Sequence, residues 1–207
     1  MSNVVLTGFM GTGKSTIGRA LARELGYEFI DTDAMIVERY GTIAQIFEQG
    51  GEGAFRQHER STAVELAGRS GCVISTGGRF MLDEHNAAVL VPNSDVFALL
   101  AEPEEIARRV LKDGIASRPL LADASDPVQR IRDLVEQRQA GYAKFATVCT
   151  DGRSPDDIAA EILARRHGAS LARSFASSML ARKRGFAALA VAVALSAAVV
   201  LVARRRP

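Results

Sequence analysis

An α/β fold with a parallel sheet covered by helices on both faces is predicted by three observations. Short β-branched or apolar runs alternate with helical segments along the first 166 residues. The first such run stops at a glycine-rich turn that opens directly into a helix. A chain of 207 residues suits one domain of roughly 150–200 residues plus an additional segment. Strand–helix alternation implies right-handed βαβ crossovers, and these bury both faces of the sheet.

The elements follow in order. "NVVLTG" is the first strand, and "GKSTIGRALARELG" the first helix, with Ile17, Leu21 and Leu25 on one face and Gly26 as its C-cap. "YEFIDTD" reads as the second strand, followed by helical segments over about 33–40, 42–49 and 53–69. "CVIST", "DVFALLA" and "ATVCTD" supply strands three to five, with helices near 104–112, 126–145 and 155–166. The result is a five-stranded parallel sheet in a three-layer arrangement.

The composition, 47% hydrophobic and 24% charged, is that of an ordinary globular protein. The net charge of +2 conceals an asymmetry. Nine Lys or Arg and no acid lie beyond residue 164, so the first 164 residues carry 17 basic against 24 acidic side chains, a net −7. A basic nucleic-acid face on the globular part is therefore disfavoured. Cys72 and Cys149 sit in apolar runs and are expected in the core of a protein from a reducing compartment. No Cys/His spacing suggests zinc. The strand at the N-terminus leaves no place for a signal peptide, and the expected location is cytoplasmic.

Gly8, Gly13, Lys14 and Ser15 fit G-x-x-x-x-G-K-[ST] between a strand and a helix, the context that a phosphate loop requires. The glycines let the backbone curl so that N–H groups of Gly11, Thr12, Gly13, Lys14, Ser15 and Thr16 face the phosphates of ATP. Lys14 then bridges the β- and γ-phosphates, Ser15 ligates Mg²⁺, and the helix N-terminus favours the anion. The motif identifies the nucleotide and leaves the acceptor open.

Asp31 and Asp33 lie at the end of the second strand, where ligands of open parallel sheets gather. Alternation points both the same way while the strand persists. One carboxylate then reaches the Mg²⁺ hydration shell and the other accepts a proton from an attacking hydroxyl. The alternative for Asp33 is a helix N-cap. Arg56 and Arg138 fall in helical segments, and Arg118 in "RPLL" precedes a proline where a mobile lid is expected. An isolated arginine is ordinarily a solvated surface residue.

Taken in order, however, the phosphate loop, D-T-D, F-R-x-x-E, S-x-G-G, R-P-L-L and R-x-x-x-Y resemble the shikimate kinase family over about residues 3–166. The resemblance implies a P-loop kinase fold like that of nucleoside monophosphate kinases, with a helical substrate-binding region and a closing lid. It implies transfer of the ATP γ-phosphoryl group to the 3-hydroxyl of shikimate, on the route to aromatic amino acids. By matching position, Asp33 would bind the acceptor hydroxyl and act as its base. Asp31 and Ser75 would hold Mg²⁺ through water. Arg56 and Arg138 would clamp the substrate carboxylate, and Gly77 and Gly78 would approach it through backbone N–H groups. Arg118 would close over the transferring group, and Arg109 and Pro155 would flank the adenine. The expected partners are shikimate and ATP, and the expected state is a monomer. A kinase for another small hydroxy acid such as gluconate, and a tethered nucleotide-binding protein without acceptor activity, are the alternatives.

The chain departs from the family pattern of three glycines, having Gly77, Gly78 and Arg79. Three readings are open for Arg79. It turns to solvent or an acid, it adds a contact to an anionic substrate, or it fills the pocket and changes specificity. Beyond the domain of residues 1–166, residues 167–184 read as a basic linker. Residues 185–203 read as a transmembrane helix tethering the domain to the inner face of a membrane, and 204–207 as a basic end. The stretch "FAALAVAVALSAAVVLVA" has 18 residues without a charge, about the minimum for a span. Its Ala content equally fits a helix with no membrane role.

Overall fold

The first strand sets the layers. In β1 (Asn3–Gly8) every residue is buried, as expected for a strand covered on both faces. Val4 and Leu6 pack on one side, with Ile17 and Leu21 of α1 (Lys14–Leu25). Val5 turns to the other side, with Ile74, Leu66 and Phe80. The structure, a computed structural model, describes residues 2–114, 121 and 126–168. Arg118, most of the 167–184 linker, the 185–203 segment and 204–207 lie outside the described residues.

The remaining strands are β2 (Glu28–Asp31), β3 (Cys72–Ser75), β4 (Ser94–Leu100) and β5 (Ala146–Cys149). All pair in parallel in the order β2-β3-β1-β4-β5. The order reverses at β1, the place where such sheets open a ligand crevice at the carboxyl ends of the strands. Residues to Leu163 make one compact unit. The second, Ala164–Pro207, is described only over 164–168, which are helical.

The helices start and stop for local reasons. Gly26 ends α1 in the left-handed conformation, its N–H reaching the carbonyls of Ala22 and Arg23. Asp31, rather than Asp33, caps α2 (Thr32–Tyr40), accepting from the N–H groups of Asp33 and Ala34. The strand therefore ends at Asp31, and Asp33 stands in the first helical turn instead of continuing the strand alternation. A Thr42/Gln45 capping box opens α3 (Ile43–Ala67), and Gly51 at φ 67°, ψ −172° breaks it. The break yields the two helical segments that the sequence suggests. Then come α5 (Pro103–Asp113), α6 (Pro127–Tyr142) and α7 (155–168).

Helix α4 (Glu84–Leu90) is absent from the sequence reading. Its seven residues are too few to show an apolar period, and its one signal is Asp83, whose carboxylate accepts from His85 and Asn86 N–H. The expectation that both cysteines are core residues is corrected. Cys72 is buried, but Cys149 is exposed on the edge strand β5, where only Val148 is buried. An apolar run on an edge strand has one neighbour and one covered face, so alternate residues reach solvent. Among the described residues no helix is long and apolar enough to cross a membrane.

Titration of the folded protein with a thiol-reactive disulfide should thus show one fast thiol, lost in Cys149→Ser. The second should react only as denaturant unfolds the chain. Two fast thiols, or none, would contradict the placement.

Candidate active site

The loop between β1 and α1 is shaped by its own side chains. Thr12 Oγ1 donates to the Phe9 carbonyl at 2.8 Å. Lys14 Nζ donates to the carbonyls of Gly8 and Phe9 at 2.9 and 2.8 Å, folding back along the loop. Immediately beside it lies a cluster of hard oxygens. Ser15 Oγ donates to Asp31 Oδ2 at 2.8 Å and lies 3.2 Å from Ser75 Oγ. The three come from α1, β2 and β3, and pairing of Asp31 opposite Ser75 places two of them at one level.

Two cavities open from this loop. One, of about 570 Å³, is lined by Lys14, Ser15, Asp31, Asp33, Gly77 and Gly78 among others. The second, of about 590 Å³, includes Thr16, Arg109, Thr150 and Pro155. They share Gly13, Thr16, Arg108, Arg109 and Lys112. Arg109 is held in place from several sides. Its guanidinium donates to the Gly11 carbonyl, to Thr150 Oγ1 and carbonyl, and to Glu105. Arg109 and Pro155 thus line one cavity at the outer end of the phosphate loop.

The acceptor end is a set of alternating charges. Burial pushes the Asp33 carboxyl above its usual range and Asp31 adds to the rise, while Lys14 and Arg56 oppose it. Its Oδ1 has no hydrogen-bond partner. Arg56 Nη1 donates to Glu59 Oε2 at 2.6 Å, and its Nε and Nη2 both donate to Glu52 Oε1 at 3.1 and 2.8 Å. Glu59 is 1% exposed. Burial raises its pKa to about 7 against the pull of Arg56.

Gly77 separates these acids. A Cβ there would lie 2.7 Å from Asp33 Oδ1 and 3.1 Å from Glu59 Oε1, so any other residue would push these carboxylates aside. Its N–H donates to Thr32 Oγ1 at 3.0 Å. Arg138 stands over the Phe9 ring, 5.2 Å from its centroid, and burial lowers its pKa. Tyr142, one helical turn on, donates its hydroxyl to the Gly78 carbonyl at 2.7 Å. Arg79 points to an acid: its Nη1 donates to Glu52 Oε1 at 2.7 Å.

The sequence-expected residues Lys14, Ser15, Asp31, Asp33, Ser75, Gly77 and Gly78 therefore line one cavity; Arg56 and Arg138 lie outside that lining, Arg138 Nη1 being 3.6 Å from a Cβ built on Gly78. Arg118 lies outside the described residues. Three contributors carry no role in the sequence reading. Glu59 and Tyr142 are the last letters of F-R-x-x-E and R-x-x-x-Y, and their spacing from the arginines is the signal that finds them. Glu52 carries no such signal.

A strand–loop–helix phosphate cradle, an oxygen cluster beside it and a buried carboxylate facing arginines define a P-loop phosphotransferase acting on a small anionic acceptor. The profile of one family, shikimate kinase, matches residues 10–166. The chain is 40% identical over 166 residues to shikimate kinase of Caldanaerobacter subterraneus subsp. tengcongensis, covering 79% of this chain and 95% of that protein. It is 43% identical over 162 residues to shikimate kinase of Thermus thermophilus, covering 77% and 87%. In structure it is similar to shikimate kinase from Acinetobacter baumannii in complex with shikimate, with a TM-score of 0.77, 36% identity and coverage of 83% and 96%. A gluconokinase from Sinorhizobium meliloti shares the fold, with a TM-score of 0.58 at 20% identity over 84% and 97%. The chain belongs to the shikimate kinase family.

The buried Glu59 makes a pH prediction. Its pKa rises from an ordinary 4.5 to about 7 on folding, so its contribution is fully present below pH 4.5 and is lost as pH rises through 7. Glu59→Gln should flatten the decline in stability across that window by on the order of 1–3 kcal/mol, read from urea midpoints. Parallel profiles for the two proteins would refute the assignment.

Proposed function

We infer that the chain transfers the γ-phosphoryl group of ATP to the 3-hydroxyl of shikimate. The observation that carries the reading is Asp33: a desolvated carboxylate with an unpartnered oxygen, in the phosphate cavity and facing Arg56. Burial that raises a carboxylate's proton affinity suits a base working near neutral pH. Asp33 accepts the proton as the hydroxyl attacks phosphorus, while Lys14 and the loop N–H groups balance charge on the phosphate oxygens. Arg56 and Arg138 hold the carboxylate at the opposite end of the acceptor, which fixes the hydroxyl in line.

Mg²⁺ fits the oxygen cluster. Ser15 would be the direct ligand, with Asp31 and Ser75 acting through water, a sparse set suited to an ion held mainly by phosphates and water. The ion would neutralise charge on the transferring group. ATP lies along the loop with its base between Arg109 and Pro155. The protein acts as a monomer in the cytoplasm, tethered to the inner membrane face by residues 185–203. The support for the tether is the uncharged 18-residue run flanked by cations.

A coupled assay on the full chain should show shikimate-dependent ADP release. Asp33→Asn should lower kcat by about a hundredfold or more while leaving the fold intact. ADP release driven by gluconate and not by shikimate would replace this reading with the other hydroxy-acid kinase. For the tail, the full chain should sediment with membranes and resist alkaline extraction, whereas a chain ending at residue 184 should stay in the supernatant. Equal partitioning of the two would remove the anchor.

A further inference from the structure

The acceptor arginine is already engaged by a carboxylate. Arg56 offers its side-on edge, Nε and Nη2, to Glu52 Oε1, and that edge is the one a planar carboxylate grips with two parallel bonds. Its Nη1 is taken by Glu59. A substrate carboxylate that is to be held by both N–H groups of that edge must displace Glu52, since Glu59 sits on Nη1 alone. Glu59 is 1% exposed and stays with Nη1. The Glu52 side chain is 48% exposed. It also follows directly on Gly51, whose φ of 67° interrupts the helix, and no neighbour lies within 4 Å of a Cβ built there. Glu52 is the acid that can leave.

Arg79 gives it somewhere to go. The guanidinium that replaces the third glycine lies 2.7 Å from the same Glu52 oxygen that Arg56 uses. Its side chain is half exposed and reaches from the strand-end turn across to the start of the second segment of α3. We propose that Glu52 is a resident carboxylate on Arg56 that the substrate carboxylate displaces, and that Arg79 is the positioning residue that takes Glu52 over. The proposal rests on the shikimate reading above and adds to it how this chain admits the substrate's charge. Three arginines around one acid also explain why Glu52 stays ionised. Its hydrogen bonds to Arg56 pull its pKa down, with Arg79 and Arg138 adding to the effect.

Exchange of one half-exposed ion pair for another is a small free-energy change, so the effects are modest and appear in KM. At saturating ATP, Arg79→Ala should raise KM for shikimate about threefold, because Glu52 then has only Arg56 to bind, with kcat unchanged. Arg79→Lys should restore most of the loss. Glu52→Gln should lower KM about threefold. In the Glu52→Gln background, Arg79→Ala should have no further effect.

If the Arg79→Ala penalty persists in that background, Arg79 touches the substrate itself and the proposal is overturned. It is equally overturned if Arg79→Ala leaves KM unchanged or lowers it, or if kcat falls with KM constant. Absence of shikimate-dependent ADP release by the unsubstituted chain would instead sink the functional reading, and the proposal with it. Urea midpoints of the four variants confirm that folded proteins are being compared.

Discussion

The register of three parallel strands is the constraint on which the site depends. Ser75 pairs with Leu6 on one side and with Asp31 on the other. Leu6, two residues before β1 ends at the phosphate loop, therefore stands level with Asp31 and Ser75, where β2 and β3 end. A slip of one residue would turn these side chains to the opposite face. Both faces of β1 are filled by apolar contacts, so such a slip would also exchange Val4 and Leu6 with Val5 between two differently packed layers. The apolar core thus fixes the polar site. The ladder delivers two members of the oxygen cluster, Asp31 and Ser75, and the phosphate loop brings the third, Ser15 at the start of α1.

Electrostatics at the acceptor end run against stability and toward chemistry. Asp33 and Glu59 are both desolvated, with raised proton affinities, and each retains an oxygen without a partner. A stable core would replace or fully satisfy such groups. What compensates them is the set of cations around the cavity: Lys14 on one side and Arg56 on the other. Arg138 is itself disfavoured by burial, and the neighbouring Arg79 and Arg56 add to the penalty. A pocket with the unpartnered Asp33 oxygen at one end and arginines beyond it is poised for a ligand carrying a hydroxyl at one end and an anion at the other. Functional sites are where such costs are tolerated.

Much of this was legible in the sequence because it is local. The phosphate loop, the α1 face, the Gly26 cap and the break within α3 follow from spacing and from glycine chemistry. The Asp33 position was legible in type but not in geometry. Whether the strand or the helix owns residues 31–33 depends on which aspartate caps, and Asp31 wins because its carboxylate reaches two N–H groups at once. Contacts that join distant segments were not legible. Tyr142 meets Gly78 across 64 positions, and Arg79 meets Glu52 across 27. No periodicity encodes such pairs. Cys149 was misread for a related reason, since an apolar tetrapeptide does not reveal whether its strand is central or at the edge.

The three positions of the strand-end turn differ in what they require. At Gly77 a Cβ would lie 2.7 Å from Asp33 Oδ1, so a substitution there would force the Asp33 carboxylate to shift. At Gly78 the nearest atom to a Cβ is Arg138 Nη1, at 3.6 Å, an ordinary contact. Substitution there would crowd the guanidinium without a clash. At the third position the backbone has φ −105° and ψ −6°, which any residue adopts. Arg79 therefore costs the turn nothing. Its side chain projects toward Glu52, leaving Gly77 and Gly78 to face the cavity. The turn thus needs room beside the Asp33 carboxylate at its first position and tolerates a side chain at its third, and this chain uses the tolerance to place a cation beside Glu52.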